Sequence, residues 1–152
     1  MPTPGLELIA RLAVDVAPPL ETGASVRGAR RLVPIAGGRA LGPRLVGRVL
    51  PGGADFQLLR SDHVTEVEAR YVIETESGAR VYVRNRGLRH GPPEAIERLN
   101  RGEPVDPAAI YFRSTVSFET AAPELAWLMR DLFVGSGARF PDRVELAWYR
   151  VL

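Results

Sequence analysis

The chain has 152 residues, 45% of them hydrophobic, and a net charge of only +2. That is enough for one domain with a sizeable core, and too balanced for a nucleic-acid binder, which gathers one sign of charge on one face. All 20 basic residues are Arg, Cys is absent and there are two His, so disulfides and thiolate metal sites are excluded and no histidine spacing suits zinc.

No apolar run approaches the ~18 residues of a membrane span. The N-terminus lacks the basic and apolar regions of a signal peptide. A cytoplasmic protein, without membrane or nucleic-acid partners, is expected. The 15 Gly and 13 Pro favour short strands and many turns.

Leu6 to Val16 reads as a first strand, with Leu6, Leu8, Ala10, Leu12 and Val14 on one alternating face. Residues 18–27 read as a loop and Gly28 to Ile35 as a second strand. Pro34 puts the end of that strand at a sheet edge or a bulge, because Pro cannot donate a ladder hydrogen bond. Gly37-Gly38 and Gly52-Gly53 flank a short strand and mark bends or close backbone approach. They are not a phosphate loop, since the GK[ST] ending and the following helix are missing. Phe56 to Leu59 is a short strand, followed by a turn through His63.

Val64 to Gly87 carries the densest set of chemically capable side chains. Thr75 to Ala79 suits a three-residue hairpin turn with Gly78 in the left-handed region. That turn opposes Glu74 to Arg80, Arg70 to Arg84 and Glu68 to Arg86. One face then holds Glu66, Glu68, Arg70, Val72 and Glu74 with Arg80, Tyr82, Arg84 and Arg86. The other holds Val67, Ala69, Tyr71, Ile73 and Thr75 with Val81, Val83 and Asn85. Two readings follow. The charged face meets solvent, its ion pairs contributing roughly 0–1 kcal/mol each, or it lines a polar pocket inside a barrel.

After a loop at Leu88 to Gly91, Pro92 to Arg101 is a short helix. Proline stands at its start, acids near its N-terminus, arginines near its C-terminus, and Gly102 caps it. Ile110 to Thr120 is a strand with Ile110, Phe112, Ser114, Val116 and Phe118 on one face and Tyr111, Arg113, Thr115, Ser117 and Glu119 on the other. Pro123 to Met129 is a helical turn. A last hairpin through Ser136 to Ala138 and Pro141-Asp142 leads to the strand Val144 to Leu152. The expected fold is all-β and mainly antiparallel: one domain, 1–152, forming a closed or nearly closed β-barrel of about eight strands with one or two short helices.

Four stretches, GARRLVPIAGGRALGPRLVGRVLPGGADFQLLRSD, VEARYVIETESGARVYVRNRG, GEPVDPAAIYFRSTVSFET and WLMRDLFVGSG, resemble the domain-of-unknown-function family 3237, also called uncharacterised protein family 0311. The resemblance implies a compact antiparallel barrel and no settled activity. Asp55, Arg70, Tyr111, Arg113, Glu119 and Trp127 match its pattern. The pattern usually has Trp at Phe56, Gly at His63, Asp at Glu68, Pro at Val116 and Asn at Met129.

If the charged faces turn inward, Glu68 and Glu119 are the candidate acid or base. Arg70 and Arg113 are then the candidate electrostatic stabilisers. Asp55, Phe56, Tyr82, Arg84, Tyr111, Trp127 and Met129 would shape the pocket. With no metal, cofactor or nucleophile-elbow motif in the sequence, the leading expectation is a cofactor-free enzyme doing acid–base chemistry. The reaction would be of cyclisation, isomerisation or lyase type, on an apolar or aromatic metabolite such as a polyketide or phenolic intermediate. The alternatives are a lipocalin-like carrier and a structural module, each compatible with a homo-oligomer.

Overall fold

A computed structural model describes the whole chain, Met1–Leu152. Ten strands form: β1 (Leu6–Val16), β2 (Leu20–Ser25), β3 (Gly28–Leu41), β4 (Gly47–Val49), β5 (Ala54–Leu59), β6 (Thr65–Glu74), β7 (Arg80–His90), β8 (Tyr111–Thr120), β9 (Phe133–Arg139) and β10 (Arg143–Val151). Helix α1 (Pro93–Asn100) follows β7, and 3-10 segments occupy Pro107–Ala109 and Pro123–Met129. All pairings are antiparallel. The path runs β1-β10-β9-β8-β7-β6, then through β4 and β5 to β3, and β3 returns to β1. The sheet is therefore a closed barrel. β4 and β5 share one place in the wall, and β2 hangs on β3 outside the ring.

The hairpin behaves as its turn chemistry demands. Gly78 has φ of 82°, the Thr75 amide donates to the Ala79 carbonyl at 2.9 Å, and Glu74, Arg70 and Glu68 oppose Arg80, Arg84 and Arg86. Two expectations need correction nearby. Residues 20–25 are a strand rather than loop, and β7 continues to His90, so Leu88 to His90 belong to the sheet. Similarly, Ser136 to Ala138 lie within β9, and the final turn falls at Phe140–Asp142.

β1 departs from simple alternation. A register shift between Leu8 and Ala10 places Ile9 and Ala10 both in the core at 0% exposure. β3 is one 14-residue strand that bends where it crosses β1. Gly38 takes φ of 136° there, and a Cβ at that position would run into the Ala13 backbone carbonyl. Only glycine permits that approach. Pro34 lies one residue before Ile35, where the β1–β3 register shifts between Asp15 and Val16.

Twenty buried residues form the core, with Trp148 fully enclosed. Phe118 packs edge-on against Phe133 at 5.0 Å and against Trp148 at 5.3 Å, the geometry that aromatic quadrupoles prefer. Helix α1 buries Ile96 and Leu99. Its C-terminal end is tied to β3 by Arg31, whose Nη1 donates to the Asn100 carbonyl at 3.1 Å, a favourable place for a cation. No helix is long and apolar enough to cross a membrane.

Candidate functional site

The hairpin's charged face points outward. Val67, Tyr71, Ile73, Val81, Val83 and Asn85 fill the inside, and period-two alternation leaves Glu68, Arg70 and Arg84 on the other side of the wall. On β8 the buried series is Phe112, Ser114, Val116 and Phe118, and Arg113 and Glu119 are exposed. The inward alternative for Glu68, Arg70, Arg113 and Glu119 does not hold. Glu68 instead anchors a surface network. Its Oε1 accepts from Arg70 at 2.8 Å and from Arg84 Nε at 2.9 Å, and Arg86 stands 4.0 Å from its other oxygen. The Arg70 hydrogen bond, aided by Arg84, holds Glu68 below the usual glutamate range. It is a fixed anion, ill-suited to carry a proton at neutral pH.

An open groove of about 550 Å3 crosses this outer wall near the α1 end. Phe56, Leu58, Leu88 and Tyr111 give it an apolar strip, flanked by Glu68 and Arg113. Phe56, Tyr111, Glu68 and Arg113 are thus brought together, though outside the barrel. Arg113 stacks over the Tyr111 ring at 5.3 Å, and His90 stacks on its neighbour Tyr111 at 4.6 Å. Arg70 and Tyr82 line an adjoining groove that shares Phe56. Glu119 sits opposite Tyr82 on the outer face. Trp127 lies at the far end of the barrel, against Phe133 at 5.7 Å and beneath Arg44 at 4.7 Å. Met129 is half-exposed beside it in sequence. Trp127 and Met129 therefore share no site with the hairpin.

The polar chemistry inside the barrel belongs to other residues. Of the predicted pocket residues, Asp55 faces inward at this end of the barrel, and Trp127 packs against the core at the other. Its Oδ2 accepts from Gln57 Nε2 at 2.7 Å and its Oδ1 from the Glu68 backbone amide at 3.0 Å. The second bond occurs because the β5–β6 ladder is interrupted. Ala54 and Asp55 pair with Arg70 and Ala69, Leu58 and Leu59 pair with Glu66 and Thr65, and Phe56 and Gln57 keep their β3 partners Leu32 and Arg31 but have none on β6. The register is the same on both sides of the gap. A side-chain carboxylate thus satisfies an amide that the ladder leaves free. Glu68 lines the outer groove, so the Asp55 carboxyl lies one hydrogen bond behind the groove floor.

Burial pushes the Asp55 carboxyl up, against the lowering effects of Gln57, of Arg89, of the Glu68 amide and of Arg139. Arg89 is 3% exposed, its Nε has no hydrogen-bond partner, and its guanidinium lies over the Phe112 ring at 5.6 Å. Burial lowers it to about 10, and the charges of Arg139 and Arg31 act in the same direction. Arg139 is lowered for the same reason, burial first and Arg31 second. Around this cluster the buried Gln57 Oε1, Asn85 Oδ1 and Tyr71 hydroxyl also lack partners. Burial, then the Asp55 charge, pushes the Tyr71 hydroxyl far up, so it stays neutral and able to donate. A small cavity of about 30 Å3 reaches Asp55, Tyr71, Asn85 and Phe112 and is otherwise walled by Val14, Ile35 and their neighbours.

Alternation could have found most of these groups. Arg31 shares parity with Val33 and Ile35, Arg89 with Val81, Val83 and Asn85, and Arg139 with Phe133. Reading residues 88–91 as loop hid Arg89.

Fold and site together define a small closed antiparallel barrel with an acid–arginine cluster in one end. The chain belongs to the family described as protein of unknown function DUF3237, whose pattern matches residues 4–151. A UPF0311 protein of Rhodopseudomonas palustris is 53% identical over 125 residues, covering 82% of each chain. The crystal structure of a conserved protein of unknown function from that species has a TM-score of 0.96 at 45% identity, over 100% of both chains. An enzyme from Penicillium herquei shares the fold, with a TM-score of 0.74 at 20% identity over 100% of this chain and 98% of that one.

Proposed function

We propose that the protein is an enzyme doing acid–base chemistry on a small molecule, with Asp55 as the proton-transfer group and the outer groove as the seat for the substrate's apolar body. The observation that carries this reading is the Asp55 carboxyl itself. It is inside the wall, raised by burial, and beside two guanidiniums, Arg89 and Arg139, that act on it. A carboxyl tuned upward gives and takes a proton more readily than an ordinary carboxylate. A buried cation next to it favours the oxyanion or enolate that forms when a proton leaves carbon or oxygen. Tyr71, neutral and unpartnered, supplies a second donor.

Size sets where a substrate sits. The inner cavity of about 30 Å3 admits a water or a small head group, far below the ~300 Å3 that encloses a drug-sized ligand. An aromatic or polyketide body belongs in the outer groove of about 550 Å3, along Phe56, Leu88 and Tyr111. The same packing counts against a lipocalin-like carrier, which needs a roomy interior. The Penicillium herquei likeness is one of fold and adds no substrate.

A screen of phenolic and keto metabolites for spectroscopic change tests this reading. Turnover is expected in the wild type, lost in Asp55→Asn with the fold retained, and kept in Glu119→Gln on the outer face. Turnover that survives Asp55→Asn would remove Asp55 from the mechanism. Ligand binding without any turnover would leave a binding protein.

A further inference from the structure

We propose that the α1 end of the barrel binds a small carboxylate, with Arg89, Arg31 and Arg139 as its cationic partners. This rests on the reading of that end as a ligand site and names the class of ligand it takes.

The charge inventory is lopsided. Arg31, Arg89 and Arg139 interact with one another across the barrel end, and Asp55 is the carboxylate that acts on both Arg89 and Arg139. Asp142 also acts on Arg139. Glu21 reaches Arg31 from outside at 3.5 Å, from a side chain that is 64% exposed. Arg31 spends one nitrogen on the Asn100 carbonyl, and its buried Nε has no hydrogen-bond partner. Arg89 lies over the face of Phe112, and its Nε is also unpartnered. A buried guanidinium whose Nε has no hydrogen-bonded anion is costly to fold around. An oxyanion that accepts from it in fork geometry offsets that cost.

The surroundings select the kind of anion. Behind Asp55 the cavity is walled by Val14, Ile35, Val67, Phe112 and Leu146, which suit carbon rather than further phosphate oxygens; the arginines do not line it, and Arg89 adjoins it through the Phe112 ring that its guanidinium covers. Its volume of about 30 Å3 fits one planar head with a carbon or two. A short carboxylic acid, or the carboxylate end of a larger acid, meets both conditions. A substrate of this class would place its carboxylate on Arg89 and the adjacent carbon near Asp55.

Thermal-shift titration with acetate, propionate and inorganic phosphate, at ionic strength held constant with sodium chloride, tests the proposal. Acetate and propionate should raise the Tm along a saturating curve. Arg89→Gln should weaken that binding by about tenfold or more, the loss of one charge-assisted hydrogen bond. Asp55→Asn, with a negative charge removed from the site, should bind carboxylate at least as tightly as the wild type. Arg80→Gln, exposed on the outer face away from both grooves, should change nothing. Should Arg89→Gln not fold, Arg139→Gln at its half-buried position carries the same comparison. Carboxylate shifts no larger than those of chloride, shifts undiminished in the arginine variant, or stabilisation by phosphate alone would overturn the proposal. The Asp55 reading is judged separately: carboxylate binding that persists while turnover is absent removes the acid–base role and leaves the anion site standing.

Discussion

Replacing Asp55 by Asn asks directly whether the barrel carries its buried carboxyl at a cost. The wild-type carboxylate accepts two hydrogen bonds, from Gln57 at 2.7 Å and from the Glu68 amide at 3.0 Å. An Asn keeps an acceptor for the Glu68 amide. Its Nδ2 can donate to Gln57 Oε1, which has no partner in the wild type, once the Gln57 amide turns over. Both bonds survive, so the two proteins should agree within about 1 kcal/mol in acid.

They should then diverge with pH. The Asp55 carboxyl is raised above its ordinary 3.8, so between that value and its folded value the native state binds more protons than the unfolded chain. Wild-type stability therefore falls across this window as pH rises. Asn has no proton to lose, so the variant gains on the wild type by roughly 1.4 kcal/mol for each unit of the upward shift. The gain is complete once pH passes the folded value. Urea unfolding of both proteins from pH 3 to 8 measures the difference directly, and the titration of every other carboxylate cancels in it. Asp55→Ala is the contrasting variant. It strands the Glu68 amide and the Gln57 Nε2 at all pH values, at roughly 1–3 kcal/mol each. If Asp55→Asn instead loses ground as pH rises, the arginines outweigh burial, and Asp55 is an ordinary ion-pair carboxylate with no claim to proton transfer.

Arg89→Met should stabilise the ligand-free protein at pH 7 by roughly 3 kcal/mol, because a guanidinium lowered from 12.5 to about 10 by burial measures an unfavourable buried charge; a loss of stability in urea unfolding would refute this. Glu68→Gln should cost no more than about 1 kcal/mol in low salt and less in high salt, since its arginine partners are exposed and screened. Because the Glu68 carboxyl is held low, its contribution is present above the ordinary glutamate range and is lost as pH falls through the depressed value; a salt-independent loss of several kcal/mol would contradict the surface placement. Gly38→Ala should prevent the barrel from closing, since its Cβ meets the Ala13 carbonyl at a positive φ; a variant that melts within a few degrees of the wild type by circular dichroism would show that β1 and β3 can part there.

The fold was legible where local chemistry and periodicity agreed. Gly78 and the turn around it set the register of β6 and β7 along their whole length, because a hairpin's turn type leaves no freedom to slip. Helix α1 was legible from its proline start, its charges and Gly102. β2 was not, since all its residues are exposed and no apolar alternation marks it. The bulge at Ile9 was equally hidden. An extra residue in a strand alters no composition and reveals itself only when both Ile9 and Ala10 are seen inside.

The inward alternative for the charged faces failed for a related reason. Charge density drew attention to Glu68 and Arg70, but closely spaced opposite charges on one strand face are what a solvated antiparallel wall carries. Such groups neutralise one another, as Glu68 does with Arg70 and Arg84, and reactivity is spent in the pairing. The informative charges are the isolated ones on the apolar parity, Arg31, Asp55, Arg89 and Arg139, each separated in sequence and gathered only by barrel closure. A strand that buries Val81, Val83 and Asn85 and then Arg89 places a charge where folding disfavours it. That cost is why Arg89 carries the proposal of an anion site: for stability alone a Leu or Met would serve better at this position.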